Sequence, residues 1–414
     1  MIAEIVAVGS EMLTPFRQDT NSLYLTGQLN ELGINVGFKT VVGDNPQHLA
    51  AAARTAIDRS HIVMFIGGLG PTEDDLTRDA VAAALQLELR RDHDLVAAMY
   101  KRFAERRISM PENNARQADI IKGAEVLPNS RGTAPGQWLQ RSLNGEPQII
   151  MLLPGPPHEL EAMWQRDVRS RLQAITPPSA IATRVIKTAM LPESAADART
   201  APIYKKYPNV ETTVLAGQGQ VEFHLRATAA TRDQAEAAVE KLSEQLQDEL
   251  GDAVFSTAGE SLEEIVGLYL QMRGATLAVA ESCTGGMVAE RLTSVPGSSR
   301  YFLGGAVVYS NELKTLFADV PPLMMEAHGA VSKEVALALA ENIREICNAG
   351  IGLGITGIAG PGGGTEEKPV GLVYVAVTNG QRREVVERRF PGDRERIRRW
   401  ASQQALDLVR RIMM

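Results

Sequence analysis

The sequence has little cysteine and lacks long hydrophobic runs. Only Cys283 and Cys347 occur among 414 residues, and no charge-free apolar stretch reaches the roughly 20 residues that a membrane helix needs. These absences argue against a disulfide framework and against a membrane span. The first residues have no basic lead and carry Glu4 inside an apolar run, which predicts a core strand and not a signal peptide. We therefore expect a cytoplasmic protein.

Basic residues are also fewer than acidic residues. Lys and Arg number 43 against 50 Asp and Glu, which gives a net charge of −7. This balance argues against a protein whose main function is to neutralise nucleic-acid phosphates. The hydrophobic fraction of 44% is ordinary for globular domains. A length of 414 residues predicts two or three domains, at about 150 residues each.

Residues 1–175 alternate short Val/Ile-rich runs with helical patterns. Apolar runs at Ile2–Val8, Val36–Val42 and Ile62–Ile66 are separated by segments with helical spacing. This alternation is typical of a parallel sheet with helices on both faces. The pattern predicts a three-layer α/β/α domain over residues 1–175.

The pattern changes after a proline-rich linker at residues 176–180. A strand, a helix, a hairpin around residues 217–219 and a long charged helix over 233–250 predict a small α+β domain at residues 176–257. Residues 258–414 again alternate strands with helices and predict a third, α/β domain.

Two motifs in the last domain place hydroxyl groups within reach of one lysine. The sequence Glu-Ser-Cys-Thr-Gly-Gly at 281–286 and the sequence Tyr-Ser-Asn-Glu-Leu-Lys at 309–314 each follow an apolar run, and Pro-Gly-Ser-Ser at 296–299 lies between them. A serine needs a base to act as a nucleophile, and a lysine of lowered pKa can serve. We also expect the turn after residue 280 to direct free backbone N–H groups at an anion or oxyanion. The motifs predict a Ser–Lys amidohydrolase.

Each of these residues also has an ordinary structural explanation. Ser282 or Thr284 can be a helix cap, and Arg396 lies in a basic helix that solvent can cover. Cys283 is more often a small buried residue than a nucleophile. From the residues alone, Ser282 and Ser299 both remain candidates for the nucleophile.

With these motifs, residues 258–414 resemble the nicotinamide-nucleotide amidohydrolase domain, and the whole chain resembles the CinA family of competence/damage-inducible proteins. The resemblance implies deamidation of nicotinamide mononucleotide to nicotinic acid mononucleotide and ammonia, without a metal or cofactor. It favours Ser299 as the nucleophile and Lys314 as its base, with Tyr309 and Ser282 as supporting hydroxyls. The substrate-binding residues that it implies are Thr284, Gly285, Gly286, Thr356, Gly357 and Arg396.

A glycine-rich and acidic motif lies in the first domain. Residues 67–77 follow an apolar run, and their glycines would allow phosphate to approach while Asp74 and Asp75 hold a divalent cation such as Mg²⁺. The alternative is an acidic, well-capped helix start. The motif resembles the molybdopterin-binding family, and in CinA-type chains it implies metal-dependent ADP-ribose pyrophosphatase activity. The candidate nucleotide-binding residues are Gly67, Gly68, Gly70, Thr72, Thr77 and Gly155.

The middle domain resembles the KH-like domain of the CinA family. A nucleic-acid-binding KH domain needs a Gly-x-x-Gly clamp, which Gly217-Gln218-Gly219 does not supply. We therefore expect a spacer and a homodimer contact, small nucleotides as ligands, and neither nucleic acid nor membrane as a partner. Two alternatives stay open: a protein that is mainly an N-terminal pyrophosphatase, or a non-enzymatic binding protein in competence or DNA repair.

Overall fold

A computed structural model of the chain describes residues 1–143, 145–176, 179–217 and 219–414. These residues form two compact units, one of Met1–Ile181 with Thr228–Ala235 and one of Ala182–Ala227 with Glu236–Met414. Part of the predicted linker, residues 177 and 178, and residue 218 of the predicted hairpin lie outside the described residues. Among the helices that are described, none is long and apolar enough to cross a membrane.

The first unit begins with alternating strands and helices and ends with a hairpin and two short helices. Its elements are β1 (Ile2–Val8), α1 (Thr20–Glu31), β2 (Asn35–Val42), α2 (Pro46–Arg59), β3 (Ile62–Ile66), α3 (Thr77–Leu85), β4 (Leu89–Arg91), α4 (His93–Glu105), β5 (Asp119–Ile121), β6 (Glu125–Leu127), β7 (Gly136–Leu143), β8 (Glu146–Leu153), α5 (Pro157–Met163) and α6 (Arg169–Ile175).

Six of these strands form one sheet in the order β2-β1-β3-β8-β7-β6. The first four are parallel, as the alternating pattern predicts, whereas β7 pairs antiparallel with both of its neighbours, β8 and β6. The prediction of a purely parallel sheet is wrong at this edge. Strands β7 and β8 follow each other too closely along the chain for the crossover that a parallel pair requires, so they form a hairpin.

Both faces of this sheet are buried, which makes three layers. Along β1, Ala3 and Ile5 pack with residues of α1 and α5, and Val6 and Val8 pack with residues of α2 and α3. Alternate side chains of a strand point to opposite faces, so a continuous apolar run is what a sheet covered on both sides needs. The predicted α/β/α arrangement is confirmed.

The middle module has the order β9 (Ala180–Ala189), α7 (Glu193–Tyr204), β10 (Val210–Gly217), β11 (Gln220–Ala229), α8 (Arg232–Leu250) and β12 (Val254–Ser256). Its four strands form a sheet in the order β10-β11-β9-β12. Strands β10 and β11 pair antiparallel over their full length. The predicted small α+β module, with its hairpin and its long charged helix, is confirmed.

The last part of the chain returns to strand–helix alternation. Its elements are α9 (Leu262–Met272), β13 (Leu277–Glu281), α10 (Met287–Thr293), β14 (Phe302–Val307), α11 (Asn311–Ala318), α12 (Pro322–His328), α13 (Lys333–Ile346), β15 (Ile351–Gly357), β16 (Leu372–Thr378), β17 (Arg383–Arg389) and α14 (Arg394–Ile412). The sheet order is β14-β13-β15-β16-β17; the first three strands are parallel, and β16 pairs antiparallel with both β15 and β17.

This second sheet is also buried on both faces. Leu277 and Val279 pack with residues of α9, α10 and α14, while Ala278 and Ala280 pack with residues of α11 and α13. Two glycines of β15 allow α13 to approach closely. A Cβ on Gly352 would lie 2.0 Å from the carbonyl oxygen of Ala340, and a Cβ on Gly354 would lie 2.3 Å from that of Ala336.

Arg410, which forms a buried ion pair within α14, joins this helix to the end of the middle module. Arg410 and Asp407 are each 1% exposed, and the Arg410 guanidinium donates to Asp407 Oδ1 at 2.8 Å and to the carbonyl oxygen of Asp252 at 2.6 Å. A charge this deeply buried is tolerated only when its hydrogen bonds are satisfied. The pair therefore holds the C-terminal helix against the residues that lead into β12.

Candidate functional site

The motif residues of the last domain meet at the carboxyl ends of three neighbouring parallel strands. Ser282 follows β13, Tyr309 and Lys314 follow β14, and Thr356 lies near the end of β15. Parallel strands bring such residues to one edge of the sheet. Together they line a cavity of about 190 Å³, which we call the serine–lysine cavity; its lining is Ser282, Cys283, Tyr309, Asn311, Lys314, Ala330, Val331, Thr356, Gly357, Ala359 and Arg394.

Lys314 is buried at this cavity and is only 3% exposed. Burial lowers the pKa of its ammonium group below the usual value, because removal from water disfavours the charged form; the Cys283 thiol and Glu312 partly oppose the shift. The Nζ atom lies 3.4 Å from the carbonyl oxygen of Tyr309. Lys314 therefore has the property required of a lysine base, a lowered pKa beside a buried serine.

Cys283 is next to Ser282 in sequence but lacks the property of a nucleophile. It is 4% exposed, and burial raises the pKa of its thiol to about 12. A thiol of that pKa stays protonated near neutral pH and is a weak nucleophile. Its sulfur packs against Gly357, where an added Cβ would lie 3.0 Å from Cys283 Sγ. Cys283 therefore packs in the wall of the cavity and is not suited to act as its nucleophile.

The turn that carries Ser282 is held by the carboxylate of Glu281. This side chain is 1% exposed and accepts hydrogen bonds from the backbone N–H groups of Gly286 at 3.0 Å, Val288 at 3.1 Å and Ala289 at 2.8 Å. The carboxylate thus occupies the amino end of α10, where an anion is favoured. The expectation that this turn offers free N–H groups to a substrate anion is wrong for these three amides, because the chain itself supplies the anion.

Three predicted substrate-binding residues shape this turn and do not line the serine–lysine cavity. Thr284 is fully buried, and its carbonyl oxygen accepts two N–H groups of Arg398, at 2.7 and 3.3 Å. Gly285 and Gly286 have φ values of +61° and +91°, which favour glycine, and Gly286 precedes the first residue of α10. The contacts described for these residues lie within the turn and with α14, so a role in substrate binding stays a prediction.

The structure does not bring Ser299 together with Lys314. Ser299 is exposed in a short 3-10 turn, Ser298–Arg300, that precedes β14, whereas Lys314 follows the same strand. The six residues of β14 separate the two ends. At about 3.3 Å per residue the strand alone spans roughly 20 Å. The expected pairing of Ser299 with Lys314 is therefore corrected: of the two candidate nucleophiles, Ser282 is the one that lies with Lys314 at the same edge of the sheet.

The arginine at the cavity is Arg394, and not the predicted Arg396. Arg394 donates to Tyr309 Oη at 2.7 Å and to the carbonyl oxygen of Gly360 at 2.8 Å. Both arginines are in the first turn of α14, where positions two apart point about 200° away from each other. Arg396 consequently lies beside Trp400, with its guanidinium carbon 5.9 Å from the indole centroid. The orientation of α14 thus determines which of the two arginines reaches the cavity.

Thr356 and the loop before α13 complete the cavity wall. Thr356 donates its hydroxyl to the carbonyl oxygen of Ala330 at 2.7 Å. Lys368 ties down the same loop by donating to the carbonyl oxygens of His328 at 2.7 Å and Val331 at 2.8 Å. The sequence has no motif at Ala330 and Val331, so reasoning from sequence missed them.

The first unit carries its own cavity, of about 620 Å³, at the carboxyl ends of β1, β3 and β8. This is where the connections from neighbouring strands leave the sheet in opposite directions, the usual ligand position in open α/β sheets. Six of the predicted residues line this cavity: Gly67, Gly68, Gly70, Asp74, Asp75 and Gly155.

Thr72 and Thr77, in contrast, form hydrogen bonds within the glycine-rich loop. Thr77 is buried and donates to the carbonyl oxygen of Gly67 at 2.8 Å, and Thr72 donates to Asp75 Oδ2 at 2.6 Å. Neither residue lines the cavity. Buried Arg78, which the motif does not predict, donates to the carbonyl oxygens of Leu69 and Gly70 at 2.7 and 2.9 Å. These contacts fix the loop.

The predicted metal ligands are present without a complete metal cage. Asp74 and Asp75 both face the cavity, but no group of three or more His, Cys, Asp or Glu side chains in the described part of the chain is arranged to hold an ion. Mg²⁺ commonly binds one or two carboxylates and takes its other ligands from substrate phosphates and water. The donor set suits an ion that arrives with a phosphate ligand.

Three protein families match the chain in succession. The "Probable molybdopterin binding domain" matches residues 4–174, the "Damage-inducible protein CinA KH domain" matches residues 183–256, and the "CinA C-terminal domain" matches residues 259–413.

Curated relatives match over the full length. The CinA-like protein of Koribacter versatilis is 66% identical over 411 residues, 99% of each chain. The CinA-like protein of Acidobacterium capsulatum is 58% identical over 414 residues, 100% of each chain. Among solved structures, a competence/damage inducible protein from Agrobacterium tumefaciens is 36% identical, with a TM-score of 0.35, over 36% of this chain and 90% of its own.

The hydrogen bonds to Glu281 predict slow amide exchange at the start of α10. In Glu281→Ala we expect the amide hydrogens of Gly286, Val288 and Ala289 to exchange about ten- to a hundredfold faster, because a hydrogen bond to a charged group contributes about 1.5–3 kcal/mol. Exchange measured by NMR or mass spectrometry checks this.

The conservative variant Glu281→Gln retains one carbonyl acceptor, so the exchange rates of these three amides should increase less than in Glu281→Ala. Glu290→Ala is the matched control, since Glu290 is an exposed acid on the same helix. Equal exchange rates in Glu281→Ala and wild type would contradict the assignment.

Proposed function

The chain belongs to the CinA family, and from this membership together with the serine–lysine cavity we propose that it hydrolyses the carboxamide of nicotinamide mononucleotide to nicotinic acid mononucleotide and ammonia. One observation carries the proposal: a buried lysine of lowered pKa shares a cavity with a buried serine. That pair is the minimum that acyl transfer from an amide requires.

In the first half of the reaction, Ser282 Oγ attacks the carboxamide carbon and Lys314 Nζ takes the hydroxyl proton. The carbon–oxygen bond forms as the carbonyl π bond opens to an oxyanion. When the oxyanion collapses, the carbon–nitrogen bond breaks and Lys314 returns its proton to the departing nitrogen, which leaves as ammonia. The product of this half-reaction is an acyl-enzyme ester on Ser282.

In the second half, water replaces ammonia. Lys314, again neutral, takes a proton from the attacking water, and the ester bond to Ser282 breaks with return of that proton to Oγ. The products are a carboxylic acid, which ionises, and free enzyme. In the overall reaction, the amide and water give a carboxylate and ammonium. No step of this mechanism is assigned to a cofactor.

Tyr309 and Arg394 are suited to assist at the mouth of the cavity. Tyr309 is 56% exposed, and because its hydroxyl oxygen accepts from Arg394, its own hydrogen remains available for donation. We assign it to the developing oxyanion or to the substrate amide. A cavity of about 190 Å³ is below the range of about 300–1,000 Å³ typical of small-molecule sites. It would hold the nicotinamide ring, with the ribose phosphate outside, past Tyr309 and Arg394.

The proposal predicts that ammonia release depends on Ser282 and not on Ser299. Ammonia release from nicotinamide mononucleotide should fall on the order of a thousandfold or more in Ser282→Ala and in Lys314→Ala, and change by less than about twofold in Ser299→Ala. The assay is run with a metal chelator present. Ser299→Ala is the matched control, because it removes the same hydroxyl from the same domain.

The opposite result would return the nucleophile to Ser299. Loss of activity in Ser299→Ala with activity kept in Ser282→Ala would overturn the assignment of Ser282. No ammonia from folded wild-type protein would overturn the amidase itself.

The lowered pKa of Lys314 predicts the pH dependence. The neutral amine is the active form, so kcat/KM should rise with pH through the pKa of Lys314, at a midpoint below the ordinary value of about 10.4. Glu312 holds this pKa up, so Glu312→Gln should move the rising limb to lower pH. Rate profiles of the two proteins measure the shift. Glu326→Gln, an acid on the next helix, serves as control, and a shift to higher pH in Glu312→Gln would contradict the assignment.

We further propose a second activity for the N-terminal cavity, hydrolysis of the pyrophosphate of ADP-ribose. The supporting observation is a cavity of about 620 Å³ whose wall combines the glycine turns at Gly67, Gly68 and Gly155 with Asp74 and Asp75. The glycines let backbone N–H groups approach phosphate oxygens. Asp74 and Asp75 would hold Mg²⁺, which when bound neutralises charge on the pyrophosphate.

The N-terminal proposal predicts a metal-dependent role for Asp74. ADP-ribose turnover with Mg²⁺ should fall about a hundredfold or more in Asp74→Asn, and added Mg²⁺ should restore part of it if the ion is bound more weakly. Glu73→Gln is the matched control, because Glu73 is the neighbouring acid, 95% exposed, and does not line the cavity. Unchanged turnover in Asp74→Asn would contradict the metal role.

A further inference from the structure

A second cavity in the C-terminal unit lies between the middle module and the last α/β domain. Its volume is about 640 Å³, inside the range of about 300–1,000 Å³ for small-molecule sites. Its lining includes Lys187 of β9, Met287 and Arg291 of α10, and Arg399 and Gln403 of α14. None of the residues assigned to amide hydrolysis lines this junction cavity.

Three cationic side chains, Lys187, Arg291 and Arg399, line the junction cavity together with two carboxylates, Glu263 and Glu290, so cations are in excess there. Arg291 is paired with Glu263 at 2.7 Å, and Lys187 forms a longer ion pair with Glu222, at 3.8 Å, which leaves its hydrogen-bond donors free for a ligand. Arg399 pairs with Glu395, and both side chains are largely exposed. An exposed pair is weak, so a ligand anion can replace Glu395 as the partner of Arg399.

Gln403 supplies a buried donor without a partner. The residue is 3% exposed and lines the junction cavity. Its Oε1 accepts from Arg291 Nη2 at 2.8 Å, which fixes the amide orientation, while its Nε2 has no hydrogen-bond partner among the described residues. Buried amide donors are nearly always satisfied, so this N–H group indicates a missing acceptor such as a ligand oxygen.

The same face of α14 continues to an aromatic ring. Arg396, Arg399, Trp400 and Gln403 follow the spacing i, i+3, i+4, i+7, which places them along one side of the helix. Arg396 and Trp400 line an adjoining cavity of about 490 Å³ that shares Gly217 with the junction cavity. An indole beside cationic groups suits a planar ring attached to a phosphate.

We propose that the junction cavity binds the phosphate group of a small molecule, with Lys187, Arg399 and the Gln403 amide as donors. The phosphate comes either from inorganic phosphate or from a nucleotide, whose base then lies toward Trp400. This site shares no lining residue with the serine–lysine cavity or with the N-terminal cavity.

Helix α10 connects the junction cavity to Ser282. Met287 and Arg291 form part of the cavity wall, and the amides of Val288 and Ala289 on the same helix are bound by the Glu281 carboxylate. Because Glu281 precedes Ser282, a shift of α10 on ligand binding moves the nucleophile. This transmission rests on the proposed amidase function, whereas binding at the junction cavity does not.

Binding is tested on the full chain by titration calorimetry at low salt, with inorganic phosphate and with uridine 5′-monophosphate as separate probes. The double variant Lys187→Ala/Arg399→Ala should bind at least tenfold more weakly than wild type. The matched control Lys205→Ala/Arg300→Ala removes the same two charges from exposed positions and should bind as wild type does. Gln403→Leu, which removes only the unpaired donor and its carbonyl, should also weaken binding.

The affinities of the two probes identify the source of the phosphate. Tighter binding of uridine 5′-monophosphate indicates a nucleotide, and equal or tighter binding of inorganic phosphate indicates that the phosphate group alone is recognised. Absence of binding to wild type, or equal affinity in wild type and Lys187→Ala/Arg399→Ala, would overturn the site. Circular dichroism of the variants shows that they are folded.

Transmission is tested by ammonia release with the probe at saturation. We expect kcat/KM to change on the order of fivefold in wild type, as is typical of coupled sites, and to stay constant in Lys187→Ala/Arg399→Ala. Equal rates with and without bound probe in wild type would overturn the transmission through α10. A protein that binds the probe but releases no ammonia would overturn the amidase and leave the binding site standing.

Discussion

The C-terminal site depends on one buried carboxylate. Glu281 ends β13 and binds three backbone N–H groups at the start of α10, so the turn between strand and helix, which carries Ser282, has a single path. An ionised carboxylate can be this buried only because these amides and the helix dipole compensate its charge. The anion at the amino end of α10 is thus part of the chain, and the substrate must find its donors elsewhere in the cavity.

Burial also gives Lys314 its chemistry. A lysine in water is protonated near neutral pH and cannot accept a proton. Lys314 is only 3% exposed, and this burial lowers the pKa of its ammonium group. The burial comes from other elements: the loop at Ala330 and Val331 is tied to Thr356 and Lys368, and α13 lies directly against the glycines of β15.

Much of the architecture could be predicted from local pattern. Alternating apolar runs and helical spacing predict the α/β class of both large domains and the α+β middle module, since periodicity records which faces are buried. The antiparallel edge of the first sheet could not be predicted in this way, because β7 and β8 have the same apolar pattern whether they pair parallel or antiparallel. Family membership, supported over the full length, follows from motifs that are continuous in sequence.

The sequence by itself determined the residue types at the two sites and the strands that lead to them: Ser282, Tyr309 and Lys314 in the last domain, and the glycine-rich turn with Asp74 and Asp75 in the first. Only the tertiary structure decided that Ser282 and not Ser299, and Arg394 and not Arg396, line the cavity that contains Lys314. The physical reason is the same for both choices. The packing of the elements determines which of the residues near a strand or on a helix reach a given cavity. The neighbouring residues in the sequence do not specify this packing.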